Sequence, residues 1–360
     1  MAIWNKKIIN LKSGYFSLDI SDLSVKVFQL EKNGALDSIR SFGVKEIPLG
    51  CIENGKIINR EKVIEIIKNL LQTSGPKKIN TKKVICSLPE SKVFLRTVAI
   101  PEMNEGEATE AVKWEIEASI PLSVEQVYYD WQFLDKIEGK QNVLTAAVAK
   151  EFVDELMGVL KDCELEVYGL EMESIASIRS LISKDAKPEE VFLIVDIGSN
   201  KTSFTVCEGT TPYFTSSIPF SSSGITDEIS SRMNLAKEEA QNLKFSQGIE
   251  NSSGNNSVLN SIAPLLENLS TEIEKTIDFY QNMPKTKAEI GKIILIGGGA
   301  NLKGLLTYLK SKLSKEIFLG DPWINLNFGK KIPDISQADS ARYAVSAGLA
   351  MRGTNYGNKN

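Results

Sequence analysis

The sequence predicts an α/β fold of two lobes with related architecture, and three observations carry that prediction. A short strand ending in aspartate, a tight polar turn and a return strand occur twice, about half the chain apart. Strand and helix patterns alternate after each hairpin, the arrangement that layers helices against a sheet. Near residue 300 a buried apolar strand runs into a triple glycine before a helix.

The first hairpin runs Tyr15-Phe16-Ser17-Leu18-Asp19-Ile20, turns through Ser21-Asp22-Leu23-Ser24, and returns as the alternating Val25 to Leu30. The second runs Val191 to Ile197, with Asp196 at its end, turns through Gly198-Ser199-Asn200-Lys201, and returns as Thr202 to Cys207. Its first strand is a near-continuous apolar run, which predicts burial on both faces. Arg60 to Leu71 places Val63, Ile66, Ile67, Leu70 and Leu71 at helical spacing, and Val84 to Leu88 follows as a strand. Residues from Val93 to Leu160 read as an inserted α+β block. Its strand Phe94 to Ile100 is closed by Pro101, and its helix from Glu105 to about Ser119 is capped by Asn104. The strands Tyr128–Leu134 and Val143–Ala149 flank a loop at Gly139, and a helix spans Glu151–Lys161. Gly224 to Met283 is mostly helical, with a flexible loop at Gln247–Ser257 and Pro264 in the first turn of a helix from Ser261 to Tyr280. After the strand Ile293–Ile296 and the glycines 297–299, a helix is expected from Lys303, and a last helix from Ala338 to Arg352.

Composition narrows the chemistry. The 360 residues are 42% hydrophobic and 24% charged, as in a globular protein of about two domains. The net charge of -4 argues against a nucleic-acid partner, and the lysines 77, 78, 82 and 83 read as a solvated loop. With no histidine in the chain, Ser-His-Asp and Cys-His nucleophiles, His-ligated zinc and histidine pH switches are excluded. Cys51, Cys86, Cys163 and Cys207 have no metal or redox spacing and read as small buried apolar residues of a reducing compartment. The N-terminal stretch lacks the apolar region of a secretory signal, and no apolar run approaches the ~20 residues of a membrane span. Residues 1–13 read as a flexible arm, in which Ile3, Trp4, Ile8, Ile9 and Leu11 alternatively touch a surface. The tail 353–360 reads as disordered.

A glycine turn between strand and helix lets backbone N–H groups approach an anion closely, with the helix dipole adding to the field. Two Asp-ended hairpins facing each other would clasp a phosphate chain. Asp19 and Asp196 would then hold Mg²⁺, mostly through waters. Ser24 and Thr202 offer hydroxyls, and Lys26 and Lys201 positive charge. The plainer reading of each aspartate is a turn-capping residue.

With these elements the chain resembles the actin, sugar kinase and Hsp70 superfamily. Leu18-Asp19-Ile20-Ser21 to Lys26 resembles its first phosphate loop, Asp196-Ile197-Gly198 to Thr202 its second, and Gly297 to Leu302 its adenosine loop. Within the superfamily the chain is similar to the PilM family of type IV pilus assembly proteins nearly end to end. The most specific segments are Ile100-Pro101-Glu102-Met103, Ala111 to Glu117, Ile120-Pro121-Leu122, Asp130-Trp131 and Leu144 to Lys150. Ile218-Pro219-Phe220 to Thr226, Ala240 to Lys244, and Tyr343 to Arg352 continue the match.

The resemblance implies an actin-like, two-lobed fold of duplicated ribonuclease H-like domains, with subdomains 1A, 1C, 2A and 2B around an interlobe nucleotide cleft. On this chain 1A takes residues 14–92 and 161–190 with the final helix 338–352, and 1C is 93–160. Subdomain 2A takes 191–225 and 288–337, and 2B takes 226–287. It implies ATP and Mg²⁺ as ligands, with Asp19, Ser21, Ser24, Lys26, Asp196, Gly198, Ser199, Lys201, Thr202, Gln241, Lys244, Gly297, Gly298, Gly299 and Asn301 as nucleotide-binding residues and Asp19 and Asp196 near the metal. It implies a cytoplasmic scaffold at the inner-membrane face, serving twitching motility or the related type II secretion. The N-terminal tail of a PilN-like membrane protein would lie in a groove between 1A and 1C, so that membrane contact is indirect. Pilus motor ATPases and self-association are further implied contacts. No catalytic residue is assigned, and the chain is at most a weak ATPase. Two features depart from the family pattern: Ser21 stands where the first loop has glycine, followed by Asp22, and Gln241 replaces a ribose-binding glutamate. These leave a degenerate nucleotide site as the alternative. A membrane-recruited, FtsA-like polymerising protein and a small-molecule kinase of the superfamily are the competing functions.

Overall fold

The computed structural model describes residues 14–137, 140–250, 256–283, 288–329 and 335–352. The 1–13 arm, the Gly139 loop, the middle of the 247–257 loop and the 353–360 tail lie outside the described residues. Two compact units emerge: the described residues of Met1–Ser177, Leu326–Lys331 and Val345–Asn360, and those of Ile178–Asn325 and Ile332–Ala344.

The first unit opens with β1 (Phe16–Ile20), β2 (Ser24–Asn33) and β3 (Leu36–Glu46), an antiparallel meander, then the minimal hairpin β4 (Ile52–Glu53) and β5 (Lys56–Ile57). Helix α1 (Arg60–Thr73) is capped by Asn59, whose side chain accepts from the Lys62 N–H. It buries Val63, Ile66, Ile67 and Leu70 against the sheet, each worth about 1.5–3 kcal/mol of apolar burial. After β6 (Gly75–Pro76), β7 (Lys83–Leu88) enters parallel to β1. An inserted layer follows: β8 (Val93–Pro101), α2 (Glu105–Ser119), β9 (Val127–Ile137) and β10 (Lys140–Ala149), in strand order β8-β10-β9. Asn104 and Glu107 form a reciprocal capping box on α2. Helix α3 (Lys150–Asp162) returns to the sheet, and β11 (Glu166–Met172) joins parallel to β7.

The second unit begins within α4 (Glu173–Leu181), at Ile178, and continues with β12 (Val191–Ile197), β13 (Thr202–Glu208) and β14 (Thr211–Ile218), again an antiparallel meander. Helices α5 (Ser222–Met233), α6 (Lys237–Ser246) and α7 (Ser257–Gln281) precede β15 (Ile290–Ile296). Helix α8 (Leu305–Lys312) and β16 (Glu316–Leu319) follow, and β15 and β16 pair parallel. Helix α9 (Gln337–Ala341) closes this unit, and α10 (Ala344–Met351) packs mostly in the first.

The repeat expected from the two hairpins is visible in the topology. The first sheet runs β11-β7-β1-β2-β3-β6 and the second β16-β15-β12-β13-β14. Each joins an antiparallel three-strand meander to two further strands that pair parallel. Strand β12 is apolar on both faces because both are covered. Leu193, Val195 and Ile197 meet α7 residues such as Leu266 and Ile273 on one side, and Phe192 and Ile194 meet Ile178 and Leu181 on the other.

Three boundaries differ from expectation. Helix α7 starts at Ser257, four residues early, because the Asn256 side chain caps it by accepting from the Leu259 N–H, so Pro264 lies inside the helix rather than in its first turn. A short 3-10 turn over Gly298–Asn301 intervenes before α8, which begins at Leu305 rather than Lys303 because Gly304 takes φ +87°. The last helix is two, with Arg342 closing α9 and Tyr343 between them. All four cysteines are free and buried, as expected. Burial pushes the Cys163 thiol up to about 11. Of the loop lysines, Lys77 pairs with Glu31 and Lys82 with Glu164 at the surface. Among the described residues no helix is long and apolar enough to cross a membrane.

Candidate functional site

In the first unit Asp19 ends β1 and is 3% exposed. Its Oδ2 accepts from Lys26 Nζ at 2.9 Å, and its Oδ1 from Ser87 Oγ at 3.0 Å. Ser87, from the end of the neighbouring β7, also accepts from the Ile20 N–H, so it fixes the strand end. Lys26 thus compensates Asp19 locally rather than standing as a free cation. The turn closes on itself: the Ser21 N–H and Oγ both reach the Ser24 carbonyl, and the two hydroxyls lie 3.0 Å apart. Among the described non-glycine residues only Asn54, Glu164 and Asn234 have positive φ, so Ser21 bears no left-handed strain in place of glycine. Asp22 is not aimed as a lone charge at a phosphate. Its carboxylate accepts from the backbone amides of Asn54 at 3.1 Å and Gly55 at 2.7 Å, tying the β1–β2 turn to the β4–β5 hairpin.

In the second unit the corresponding turn is closed by Gly198 N–H donating to the Lys201 carbonyl at 2.9 Å. The start of α5 is laid directly on it. The Ser222 and Ser223 amides donate to the carbonyls of Gly198 and Ser199, and Ser223 Oγ donates to the latter. The Thr202 hydroxyl is committed inward, to the Phe220 carbonyl at 2.9 Å. Asp196 is half-buried beside the glycine turn. Gly297 takes φ +83°, and a Cβ there would sit 2.3 Å from Asp196 Oδ1 and 2.6 Å from the Ile197 carbonyl. A Cβ at Gly299 would sit 2.3 Å from Ile197 Cγ2, whereas at Gly298 nothing lies within 4 Å. Two of the three glycines are therefore required by packing of the turn on β12, and Gly298 faces open space. Lys201 Nζ and Asn301 Oδ1 are both buried without a hydrogen-bond partner.

The two candidates on α6 part company. Gln241 is exposed. Lys244 is 6% exposed, and its Nζ donates to the Ser222 carbonyl, the Ser222 hydroxyl and Thr226 Oγ1 at 2.7–3.0 Å. Burial with no carboxylate in contact pushes its ammonium down to about 8. It stitches α6 to the first turn of α5, and so holds the residues that brace the Asp196 turn.

A second candidate surface lies on the inserted layer. Strand register sets Phe94, Ala147 and Tyr129 in one row and Arg96, Thr145 and Trp131 in the next. Helix α2 covers the far part of the same face with Ala108, Val112 and Ile116. Phe94 remains 41% exposed, and Tyr129 and Trp131 are half-covered. The neighbouring Val93, Tyr128 and Val148 pack into the first unit's core, so this aromatic row borders the junction between the inserted layer and the main sheet. Trp114 is 69% exposed on the solvent side of α2.

The model of the family described as type IV pilus assembly protein PilM matches residues 17–354. The chain belongs to this family. Its fold matches the solved PilM-PilN type IV pilus biogenesis complex with a TM-score of 0.82 and 25% identity, covering 96% of this chain and 99% of that one. It also matches the AMPPNP-bound MreB 5 of Spiroplasma citri, with a TM-score of 0.54, 14% identity and coverage of 95% and 97%. The actin-like fold is thereby established. Among curated proteins it is similar to the cell division protein FtsA of Bacillus subtilis, 25% identical over 257 residues, 65% of this chain. The match spans 58% of that relative's length.

Sequence reasoning reached the Asp19 and Asp196 turns and the glycine turn but missed the residues that brace them. Ser87 carried a signal in ending the strand beside Asp19. Ser222 and Ser223 stood in the Ser221-Ser222-Ser223 run after Phe220.

Proposed function

We propose that the chain is a cytoplasmic, nucleotide-binding scaffold of type IV pilus assembly that holds the N-terminal tail of a PilN-like membrane protein. The observation that carries this reading is the full-length match to the PilM-PilN complex. An extended apolar peptide suits the aromatic side chains of Phe94, Tyr129 and Trp131, on two adjacent cross-strand rows within the 93–160 segment taken as 1C. Membrane contact then runs through the partner, and motor ATPases or further copies of the chain join as secondary contacts.

The nucleotide half of the reading is supported by the second unit's own geometry. The glycine turn leaves open space at Gly298. Two buried polar atoms beside the hairpin and in the glycine turn, Lys201 Nζ and Asn301 Oδ1, lack partners. A nucleoside phosphate offers an acceptor to the first and a hydroxyl or amine donor to the second, so the residues fit that group. The Gly198 and Gly297 amides are already donated within the chain, so a phosphate would draw on the remaining backbone amides of the two turns. Mg²⁺ fits only as a phosphate-bound ion reached through waters. Among the described residues no cluster of three or more His, Cys, Asp or Glu converges, and Asp19 already answers Lys26. ATP, when bound, supplies charge and binding energy for ordering the turns. The chain's residues position it, and no side chain is assigned to activate water.

The test measures two things on the full chain. Mg-ATP at one hundred times its Kd should stabilise the protein by about 2.7 kcal/mol, a protection that Asp196→Ala abolishes. A fluorescent peptide of the PilN tail should bind wild-type protein saturably. No nucleotide shift at millimolar ATP with intact peptide binding would leave a scaffold with a degenerate site. No peptide binding would overturn the scaffold reading.

A further inference from the structure

Arg342 presents a third buried polar atom without a partner in the second unit. It is the C-terminal cap of α9. The residue before it, Ala341, accepts at 3.4 Å from the backbone N–H of Gly297, the first glycine of the turn. Helix α9 packs on the short Gly298–Asn301 turn. Arg342 Nε is buried with no hydrogen-bond partner, as are Lys201 Nζ and Asn301 Oδ1. A guanidinium is charged at every physiological pH and only donates, so an oxygen or ring nitrogen of a ligand would match its Nε–H. Two unmatched donors and one unmatched acceptor, two of them at or beside the glycine turn, are groups that a ligand bearing both anionic oxygens and hydrogen-bond donors would match.

We infer that Arg342 is a nucleotide-contacting residue, its guanidinium taking an acceptor oxygen of the bound nucleoside phosphate at the glycine turn. This rests on the nucleotide reading above. The planar fork of arginine suits phosphate oxygens better than an ammonium would, which makes the residue type itself testable.

The experiment compares wild type, Arg342→Met and Arg342→Lys by thermal unfolding without ligand and by titration with Mg-ATP and Mg-ADP. A buried unmatched donor costs the ligand-free fold rather than stabilising it, so the unliganded melting temperature of Arg342→Met should equal or exceed that of wild type. The Kd of Arg342→Met for both nucleotides should rise at least tenfold, with partial recovery in Arg342→Lys. Wild-type protection with an unchanged Kd in Arg342→Met would overturn the assignment while sparing the nucleotide reading. A fall in the ligand-free melting temperature in both variants would mark Arg342 as structural. Absence of protection in the wild type would remove both the nucleotide reading and this contact.

Discussion

Lys244 gives the structure a pH dependence that can be isolated. Its Nζ is buried among Ser222 and Thr226, and burial pushes its ammonium down to about 8 from an ordinary 10.5. Below about pH 8 the group is charged in both folded and unfolded chains, and the folded state bears the full cost of burying that charge. Between about 8 and 10.5 the folded chain has lost the proton while the unfolded chain keeps it, so stability rises with pH through this window. Above it the group is neutral in both and the penalty is gone. The gap corresponds to about 3 kcal/mol. Many lysines and tyrosines titrate over the same range, so the measurement is a difference. Urea unfolding of wild type and Lys244→Met is followed at intervals from about pH 7 to about 10.5. The methionine removes the titration and leaves the Ser222 and Thr226 oxygens without their donor, which offsets the curve by a constant. The stability of wild type minus that of the variant should climb by about 3 kcal/mol across the window. A difference flat to within about 0.5 kcal/mol would show that Lys244 titrates normally, and the serine-lined site would then be more hydrated than its hydrogen bonds imply.

Further outcomes follow from single contacts. Gly348→Ala should destabilise the first unit by more than about 3 kcal/mol in urea unfolding, because its Cβ would stand 1.8 Å from the Ala176 carbonyl oxygen. Ser21→Gly should leave the Kd for Mg-ATP unchanged and lower stability by about 0.5–1 kcal/mol, since the serine bears no positive φ and its hydroxyl closes the turn; tighter binding would show that the side chain crowds a ligand. Phe94→Ala should change stability by less than about 1 kcal/mol at its exposed position and weaken binding of the PilN-tail peptide at least tenfold, read by fluorescence anisotropy.

What the sequence disclosed and what it hid divide along a physical line. The hairpins were legible because strand alternation and turn chemistry are local: Asp19 and Asp196 close their strands where the apolar pattern stops. The insertion was legible for the same reason, as Asn104 and Glu107 announce α2 three residues apart. The helix boundaries that shifted did so through a cap and a glycine whose effect depends on neighbours, Asn256 for α7 and Gly304 for α8. The site was legible only as a set of backbone turns. Its electrostatics were not, because they depend on pairings 7, 33 and 68 residues apart: Lys26 on Asp19, Gly55 on Asp22, and Ser87 on Asp19. Those pairings reverse the expectation for the first turn. Ser21 and Asp22 look like defects when compared with a glycine loop, yet in the fold one closes the turn and the other anchors it to a second hairpin. The Asp19 turn of the first unit therefore satisfies its own charges, although Arg40 Nε elsewhere in that unit is unmatched, whereas Lys201 and Asn301 at the turns of the second unit, and Arg342 beside them, have unmatched atoms. A ligand's polar groups have more to gain at the second unit's turns, and that asymmetry is why substitutions there, rather than at Ser21, should decide nucleotide affinity.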